Sequence, residues 1–337
     1  GTTSNASLAY IPLTNSAEVA VIDVVGRRAL DINPYQDGIN GIKLRNASGA
    51  SPTDIVVHPN NKYAYIADRN SGQIFVLDIS PNSVNYNKHV DTIKIDDAPN
   101  GIRQIEISSD GTKLYATVSV GKNGGKGGIA VINIDPDDAP KKPTLPSSNK
   151  WHEKIGIIET NSGIEGISAT PYDDKMIFTN RTRDAEGFGV LKIISNDPNQ
   201  FAAKTSFTKL NLGSIYDNFD VNEAVAVTLM RDPETGEEYA FVAGRNGRMF
   251  GAGIPSIDGS GFDSSIGIIK DPLGDNPQLA GATRPIPMGL TTDISITSDN
   301  KYLYATYPGV NNTFVFDVDE MIATLKNSSS EDLNSKP

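Results

Sequence analysis

A three-strand unit that recurs along the chain is the feature that most constrains its fold. In the clearest copy, apolar or alternating runs predict strands at Ile55–Val57, Tyr63–Ala67 and Gln73–Ile79. The segments between these strands, His58–Asn61 and Arg69–Gly72, are rich in residues that tolerate tight or left-handed backbone. Because one such antiparallel unit cannot bury both of its faces, it needs neighbours of the same kind.

The sequence supplies these neighbours. Residues Ala9–Val24 align without a gap onto Ala64–Ile79 and represent the second and third strands of a unit without the first. Together with this partial copy, six copies are visible, and the complete ones open at Pro52, Asn100, Ile164, Asn222 and Met288. Their predicted innermost strands are Ile55–His58, Ile105–Ser108, Ile167–Thr170, Ala224–Leu229 and Ile294–Thr297.

Outer, fourth strands are predicted between the copies, at Arg28–Ile32, Val90–Ile95, Lys154–Thr160 and Ser206–Leu212. Four antiparallel strands repeated in this way are typical of the blades of a β-propeller. A parallel α/β fold is disfavoured, because no amphipathic helix of normal length separates the strands. The sequence therefore predicts an all-β propeller of four-stranded antiparallel blades.

The number of blades has two interpretations. Six blades are favoured, with seven as the alternative, because Gly244–Met288 is long enough to hold an additional hairpin. The first copy lacks its innermost strand and the last lacks a clear outermost one, so terminal strands could complete a common blade. Asp319–Lys326 is predicted to form a short helix with an aspartate cap in place of an outer strand.

Length and composition indicate the class of protein. The 337 residues are predicted to form one propeller domain over residues 8–326, with polar, linker-like ends at 1–7 and 327–337. A net charge of -11 disfavours nucleic acid as a partner. No apolar run approaches the roughly 18 residues of a membrane span, so direct membrane insertion is not expected. The absence of cysteine excludes disulfides and thiolate metal sites.

Three tetrads at the end of the predicted second strands carry a family resemblance: Tyr65-Ile-Ala-Asp68, Ile177-Phe-Thr-Asn180 and Tyr304-Ala-Thr-Tyr307. With the turn HPNNKYAYI, they resemble the YVTN family of bacterial and archaeal β-propeller repeats, over residues 8 to 318. The resemblance implies a propeller fold. It does not select a function, because that family includes surface-layer and adhesin-like modules, lactonase-like propellers and an antibiotic lyase.

Few residues are arranged for catalysis. His58 occupies a turn position that other copies fill with serine or threonine, and His89 and His152 flank outer strands, away from the centre where a Ser-His-Asp arrangement would lie. Gly121–Gly128 precedes a strand, so it is interpreted as a hairpin loop and not as a phosphate loop. Two acidic runs lack the complete twelve-residue calcium pattern and are interpreted as solvated loops: Asp135–Asp138 and Asp271–Asp275.

Topology predicts a binding face more directly than motifs do. In a four-stranded blade, the entry to the innermost strand lies at the same end as the turn between the second and third strands. The insertions at 119–127, 181–186, 244–261 and 308–312 should therefore share a face with the entry residues. The predicted ligand-binding residues, at a channel mouth, are Asp54, Arg103, Glu165, Glu223 and Asp293. The alternative interpretation is that these are ordinary polar strand ends covered by water.

Two functions of different classes follow. The first is a non-catalytic recognition, adhesion or spacer domain of a larger secreted or cell-surface protein, monomeric and binding a protein or carbohydrate at the loop face. The alternative is a lactonase-like or lyase-like enzyme whose mouth carboxylates hold a metal that polarises a carbonyl. No cofactor is expected, and calcium is the one metal that the carboxylates leave open.

Overall fold

The computed structural model describes residues 8–121, 125–138, 151–160, 163–172, 174–181, 187–195, 202–208, 224–232, 235–247, 263–283, 286 and 289–327. Its contacts divide the chain into two compact units. Unit 1 comprises Gly1–Ile164, Pro171–Asp174 and Ile193–Ala203, and unit 2 comprises Glu165–Thr170, Lys175–Lys192 and Lys204–Pro337. The single domain over residues 8–326 stays a prediction.

Unit 1 contains three antiparallel sheets. The first consists of β1 (Leu8–Leu13), β2 (Glu18–Asp23), β3 (Arg28–Leu30) and β4 (Ile42–Lys43), and both β3 and β4 pair with β2. The second follows chain order through β5 (Pro52–Val57), β6 (Tyr63–Asp68), β7 (Gln73–Asp78) and β8 (Lys88–Lys94). The third does the same through β9 (Ile105–Ile107), β10 (Lys113–Val118), β11 (Gly128–Asn133) and β12 (Lys154–Glu159).

Three further sheets belong mainly to unit 2. The fourth contains β13 (Ile164–Ala169), β14 (Lys175–Asn180), β15 (Phe188–Ser195) and β16 (Ala202–Thr208). The fifth contains β17 (Ala224–Arg231), β18 (Glu238–Gly247), β19 (Asp263–Lys270) and β20 (Gln278–Ala282). The sixth has three strands, β21 (Asp293–Ile296), β22 (Tyr302–Tyr307) and β23 (Asn312–Asp317), and the helix α1 (Val318–Asn327) follows it.

This architecture is a β-propeller with six antiparallel sheets and one C-terminal helix, as the repeats predicted. The seven-blade alternative is wrong, because the hairpin within Gly244–Met288 exists as β19 and β20 but completes the fifth sheet. The cap of α1 also differs from the prediction. The helix begins one residue earlier, and the Oδ1 of Asp317 accepts the N–H of Glu320 at 3.0 Å.

Two other differences concern the outer strands. The outer strand predicted at Ser206–Leu212 is found at Ala202–Thr208, and residues 209–212 lie outside the described chain. The strand β4 was not predicted, because two residues are too few to produce an alternating pattern.

The turn that follows β5, β9 and β21 depends on a left-handed residue. Asn61, Gly111 and Asn300 have φ values of 55°, 73° and 59°. Each donates its N–H to the carbonyl three residues earlier, at 2.8 Å, 2.9 Å and 2.8 Å respectively. Glycine and asparagine are the residues that adopt this conformation at least cost, which explains their recurrence at this position.

The middle strands of the second sheet are buried on both faces. Tyr65 and Val76 pack into a cluster with the third sheet, whereas Ile66 and Phe75 pack into a cluster with the first sheet. This double burial explains why β6 and β7 are apolar at nearly every position instead of alternating. In the described part of the chain, no helix is long and apolar enough to cross a membrane.

Candidate functional site

Asp54 lies at the entry to β5 and ties two sheets together. Its Oδ1 accepts the N–H of Ile55 at 2.9 Å, and its Oδ2 accepts the N–H of Ile105, the first residue of β9, at 2.8 Å. Burial raises the pKa of Asp54, and the two main-chain N–H groups only partly offset that rise. This predicted ligand-binding carboxylate therefore has each oxygen engaged by the backbone.

Arg103 lies at the equivalent entry in the third sheet. Its main-chain N–H donates to the carbonyl of Thr117 at 3.0 Å. The next N–H, that of Gln104, donates to the Oγ1 of Thr117 at 2.9 Å. Thr117 is fully buried, so its hydroxyl replaces part of the strand pairing between β9 and β10 at this point.

Glu165 and Asp293 lie at strand entries of unit 2. The Oε1 of Glu165 is 3.9 Å from the Nη1 of Arg181, so the cation beside this carboxylate comes from the end of β14. The Oδ1 of Asp293 accepts the N–H of Ile294 at 2.9 Å. Both acidic groups thus have partners within unit 2.

The predicted site is tested only in part by these placements. Asp54 and Arg103 are both at strand entries of unit 1, and Glu165 and Asp293 are at strand entries of unit 2. Glu223 lies outside the described residues. The channel-mouth site therefore stays a prediction.

In the third and fourth sheets, a threonine near the end of the second strand positions the strand entry, which the sequence interpretation missed. The Oγ1 of Thr179 accepts the N–H of Gly166 at 2.9 Å, as Thr117 does for Gln104. Ala67 and Ala243 take the equivalent place in the second and fifth sheets, and the register shifts at the strand entry there. The alternation of threonine and alanine in the tetrads was the available signal.

Gly166 shows how closely the sheets approach one another there. A Cβ on this residue would lie 2.8 Å from the Cα of Ala226 in β17 and 2.9 Å from the Oγ1 of Thr179. Only glycine fits between the fourth and fifth sheets without moving backbone atoms.

A second cluster of titratable groups lies near the outer strands of unit 1. The Nδ1 of His152 is 2.6 Å from the Oδ2 of Asp91 on β8, and its Nε2 is 3.3 Å from the hydroxyl of Tyr65 on β6. Trp151 stacks on the imidazole with ring centroids 3.5 Å apart. The hydrogen bond from His152 is the main cause that lowers the pKa of Asp91, whereas burial raises the pKa of Tyr65.

The order carboxylate, imidazole, hydroxyl resembles an activated nucleophile, but its geometry is closed. Tyr65 is fully buried, and only 5% of the His152 side chain is exposed. The hydroxyl and the imidazole are thus shielded from solvent, while 48% of the Asp91 side chain is exposed, and the cluster joins the third sheet to the second.

The other two histidines also connect neighbouring sheets. The Nδ1 of His89 accepts the N–H of Arg45 at 2.8 Å, and the Nε2 of His58 lies 2.8 Å from the carbonyl oxygen of Gly111. Burial is the main cause that lowers the pKa of both imidazoles. The turn role predicted for His58 agrees with its contacts.

Metal ligation can be examined only within the described residues. No group of three or more His, Asp or Glu side chains there is close enough to share an ion. In the acidic run Asp135–Asp138, the Oδ1 of Asp135 accepts the N–H of Asp137 at 2.9 Å. In Asp271–Asp275, the carbonyl of Asp271 accepts the N–H of Gly274 at 3.1 Å. Calcium binding stays a prediction.

Comparison with known proteins identifies relatives by structure and not by sequence. No family model and no curated protein matches the chain. Hydrazine synthase from Kuenenia stuttgartiensis is similar with a TM-score of 0.64 and 15% identity, covering 99% of this chain and 80% of that one.

Two other solved structures have similar scores. A functionally unknown protein from Desulfotomaculum acetoxidans gives a TM-score of 0.60 at 13% identity, covering 92% of this chain and 75% of that one. A hypothetical selenium-binding protein from Sulfolobus tokodaii gives 0.58 at 14% identity, covering 94% and 72%. At these identities the likeness shows the fold alone, and the family of this propeller is not fixed by it.

Proposed function

We propose that this chain is a non-catalytic recognition or spacer domain of a secreted or cell-surface protein. It binds a protein or a carbohydrate through the loops at the strand-entry end of its sheets. Binding groups normally lie on loops that a rigid scaffold carries, and the described strand entries are fixed by side-chain to main-chain hydrogen bonds.

The observation that carries this proposal is the hydrogen bonding of the Asp54 carboxylate. Each of its oxygens accepts a main-chain N–H group, so this carboxylate holds β5 against β9. The three histidines have the same kind of role, since each lies at a contact between sheets. The residues best suited to catalysis are thus structural in unit 1.

The proposal includes membership of the YVTN-type repeats. Each of the tetrads Tyr65–Asp68, Ile177–Asn180 and Tyr304–Tyr307 lies at the end of the second strand of its sheet. Surface-layer and adhesin-like modules of that family combine the same repeat with extracellular function.

One observation favours the alternative enzyme. The raised pKa of Asp54 is the kind of perturbation that marks functional carboxylates. A metal at the strand-entry end would need this group together with other carboxylates, and it would polarise a lactone or ester carbonyl.

Metal titration separates the two candidates. We expect calcium, manganese and zinc to leave the melting temperature unchanged, and calorimetry to give no heat of binding. A metal at 100 times its dissociation constant would add about 2.7 kcal/mol of stability. Such a gain, lost in Asp54→Asn but kept in Asp271→Asn, together with lactone hydrolysis, would establish the enzyme instead.

Location is tested separately. Intact source cells are treated with a protease, and the released peptides are identified by mass spectrometry. Peptides from this chain should appear without lysis. Their appearance only after lysis would contradict a cell-surface domain.

A further inference from the structure

The sixth sheet has an open edge along β23. Each of the other sheets has a fourth strand, whereas no strand in the described residues pairs with the outer side of β23. The strand sequence NTFVFD has high β propensity, and Val315 and Phe314 are 53% and 37% exposed. An exposed edge of this kind is a template for pairing with another strand.

The outer strands of other sheets carry a feature that protects edges, and β23 lacks it. The registers of β7 with β8, of β11 with β12 and of β19 with β20 all contain a shift typical of a β-bulge. In contrast, β22 and β23 pair through six consecutive residues without interruption. Bulges twist an edge away from a partner. Of the strands β8, β12, β20 and β23, β23 therefore has the straight edge that can pair with another strand.

The backbone groups on the open side can be assigned. The N–H of Val318 donates to the carbonyl of Lys301 at 2.9 Å, and Tyr302 lies opposite Asp317. Because hydrogen-bonded pairs alternate along an antiparallel ladder, Phe316 and Phe314 also bond towards β22. Thr313 and Val315 therefore point both N–H and C=O to the open side. Asp317 contributes only its N–H there, because the carbonyl of this cap residue accepts the first hydrogen bond of α1.

We propose that this edge pairs with the same edge of a second copy of the chain, giving an antiparallel two-fold dimer. Only one symmetric register uses all three outward residues: Val315 faces Val315 of the partner subunit, and Thr313 faces Asp317 of the partner subunit. The two copies then exchange four main-chain hydrogen bonds: two between the Val315 residues, and one from the N–H of each Asp317 to the carbonyl of the opposing Thr313.

Side chains agree with the same register. Phe314 lies opposite Phe316 of the partner subunit, a cross-strand aromatic pair on the core-facing side. The only charged residue of the strand, Asp317, faces a threonine and not a second carboxylate. On the other face, the exposed Tyr302 and Tyr304 extend the apolar surface. A partner that is the chain itself thus satisfies hydrogen bonds, packing and charge together.

An interface of one strand from each copy is small, so the dimer is concentration-dependent. In sedimentation experiments on the whole chain, the average mass should rise from 36.0 kDa towards twice that value with increasing concentration. Val315→Lys places two ammonium groups face to face and should keep the chain monomeric with an unchanged melt of its fold. The control Val90→Lys, at the bulge in β8 and 39% exposed, should dimerise like the unaltered chain.

Single cysteines test the register, since the chain has none of its own. At the two-fold axis the two Cα atoms would lie about 5.5 Å apart, within the range for a disulfide. Val315→Cys should therefore form a covalent dimer on oxidation. Thr313→Cys should not, because it lies about 13 Å from its own mate in this register. A monomer at every concentration, or equal cross-linking of the two variants, would overturn the proposal.

Discussion

The two units use the same repeat but hold their sheets together differently. In unit 1, polar side chains cross from sheet to sheet: Tyr10 bonds Asn87 at 2.9 Å, and His89, Asp54, His58 and His152 each reach a neighbouring sheet. In unit 2, the described contacts are mostly aromatic and aliphatic, around Tyr239, Phe241, Tyr307 and Ile322. Among the described residues, unit 1 thus combines its apolar clusters with several titratable contacts between sheets, whereas the cluster above is the main described contact of the fifth and sixth sheets.

The largest effect is expected from the apolar core of unit 2. Phe241 on β18 is fully buried, so Phe241→Ala should cost about 3–5 kcal/mol of unfolding free energy. Hydrogen exchange should show the loss of protection in β17 to β22. Tyr302→Ala, at a 43% exposed position, is the control and should change little. Equal loss of protection in β5 to β11 would show that the two units do not differ in this way.

The Asp91 and His152 pair is the matching test in unit 1. Asp91→Ala removes the acceptor of a buried imidazole and should cost about 1–3 kcal/mol. In a double-mutant cycle with His152→Ala, the two losses should be less than additive, with a coupling of about 0.5–3 kcal/mol. Additive losses would mean that the contact between these sheets is apolar in character, as in unit 2.

A polar contact between sheets also exists in unit 2, at the left-handed turn of Asn300. Its Nδ2 donates to the carbonyl of Arg231 at 3.0 Å. Asn300→Gly should lose only this bond, at about 1 kcal/mol, whereas Asn300→Ala should lose roughly 1–2 kcal/mol more through backbone strain. Denaturant melts of the two variants measure the difference, and equal stability would contradict the left-handed conformation.

The smallest expected effect is a pH dependence confined to unit 1. Burial holds the pKa values of His58 and His89 below the unfolded value of about 6.5, so the unfolded chain binds protons first. Stability should be complete above that pH and decrease as the pH falls from about 6.5 towards the folded pKa values. The loss is about 1.4 kcal/mol for each pKa unit of difference.

Hydrogen exchange at pH 7.5 and 5.5 locates this effect. Amides of β1 to β11 should lose protection at the lower pH, and those of β17 to β22 should not. His89→Gln should reduce the difference, since glutamine keeps an acceptor without a proton-binding site in this range. An equal loss in both units would assign the pH dependence to carboxylates.

The sequence predicted most of the strands because each repeat is local. The innermost strand Ile105–Ser108 and the third strand Gln73–Ile79 were both placed within one residue. The hairpin of β19 and β20 entered the sequence interpretation only as the basis of the seven-blade alternative, since strand pairing across long insertions leaves little periodic signal.

Contacts between sheets could not be predicted from the sequence. Ligand binding by Asp54 stays a prediction, but its bond to the N–H of Ile105, 51 residues away, had no signal in the sequence. His152 and Asp91 are 61 residues apart, and only the register of both outer strands brings them together. Such pairs depend on how neighbouring sheets stack, which propensity and spacing within one repeat do not encode.

The stacking of Trp151 on His152 determines which part of the molecule the intrinsic fluorescence reports. Trp151 is the only tryptophan of the chain, and it lies against an imidazole and the edge of Tyr63, all in unit 1. Indole emission depends on the polarity of the ring's surroundings and on quenching groups beside it, so the intrinsic fluorescence of this protein reports on unit 1. Circular dichroism follows the strands of both units, and the two signals together distinguish a single cooperative transition from two. Trp151 is thus an intrinsic fluorescence probe of the unfolding of unit 1.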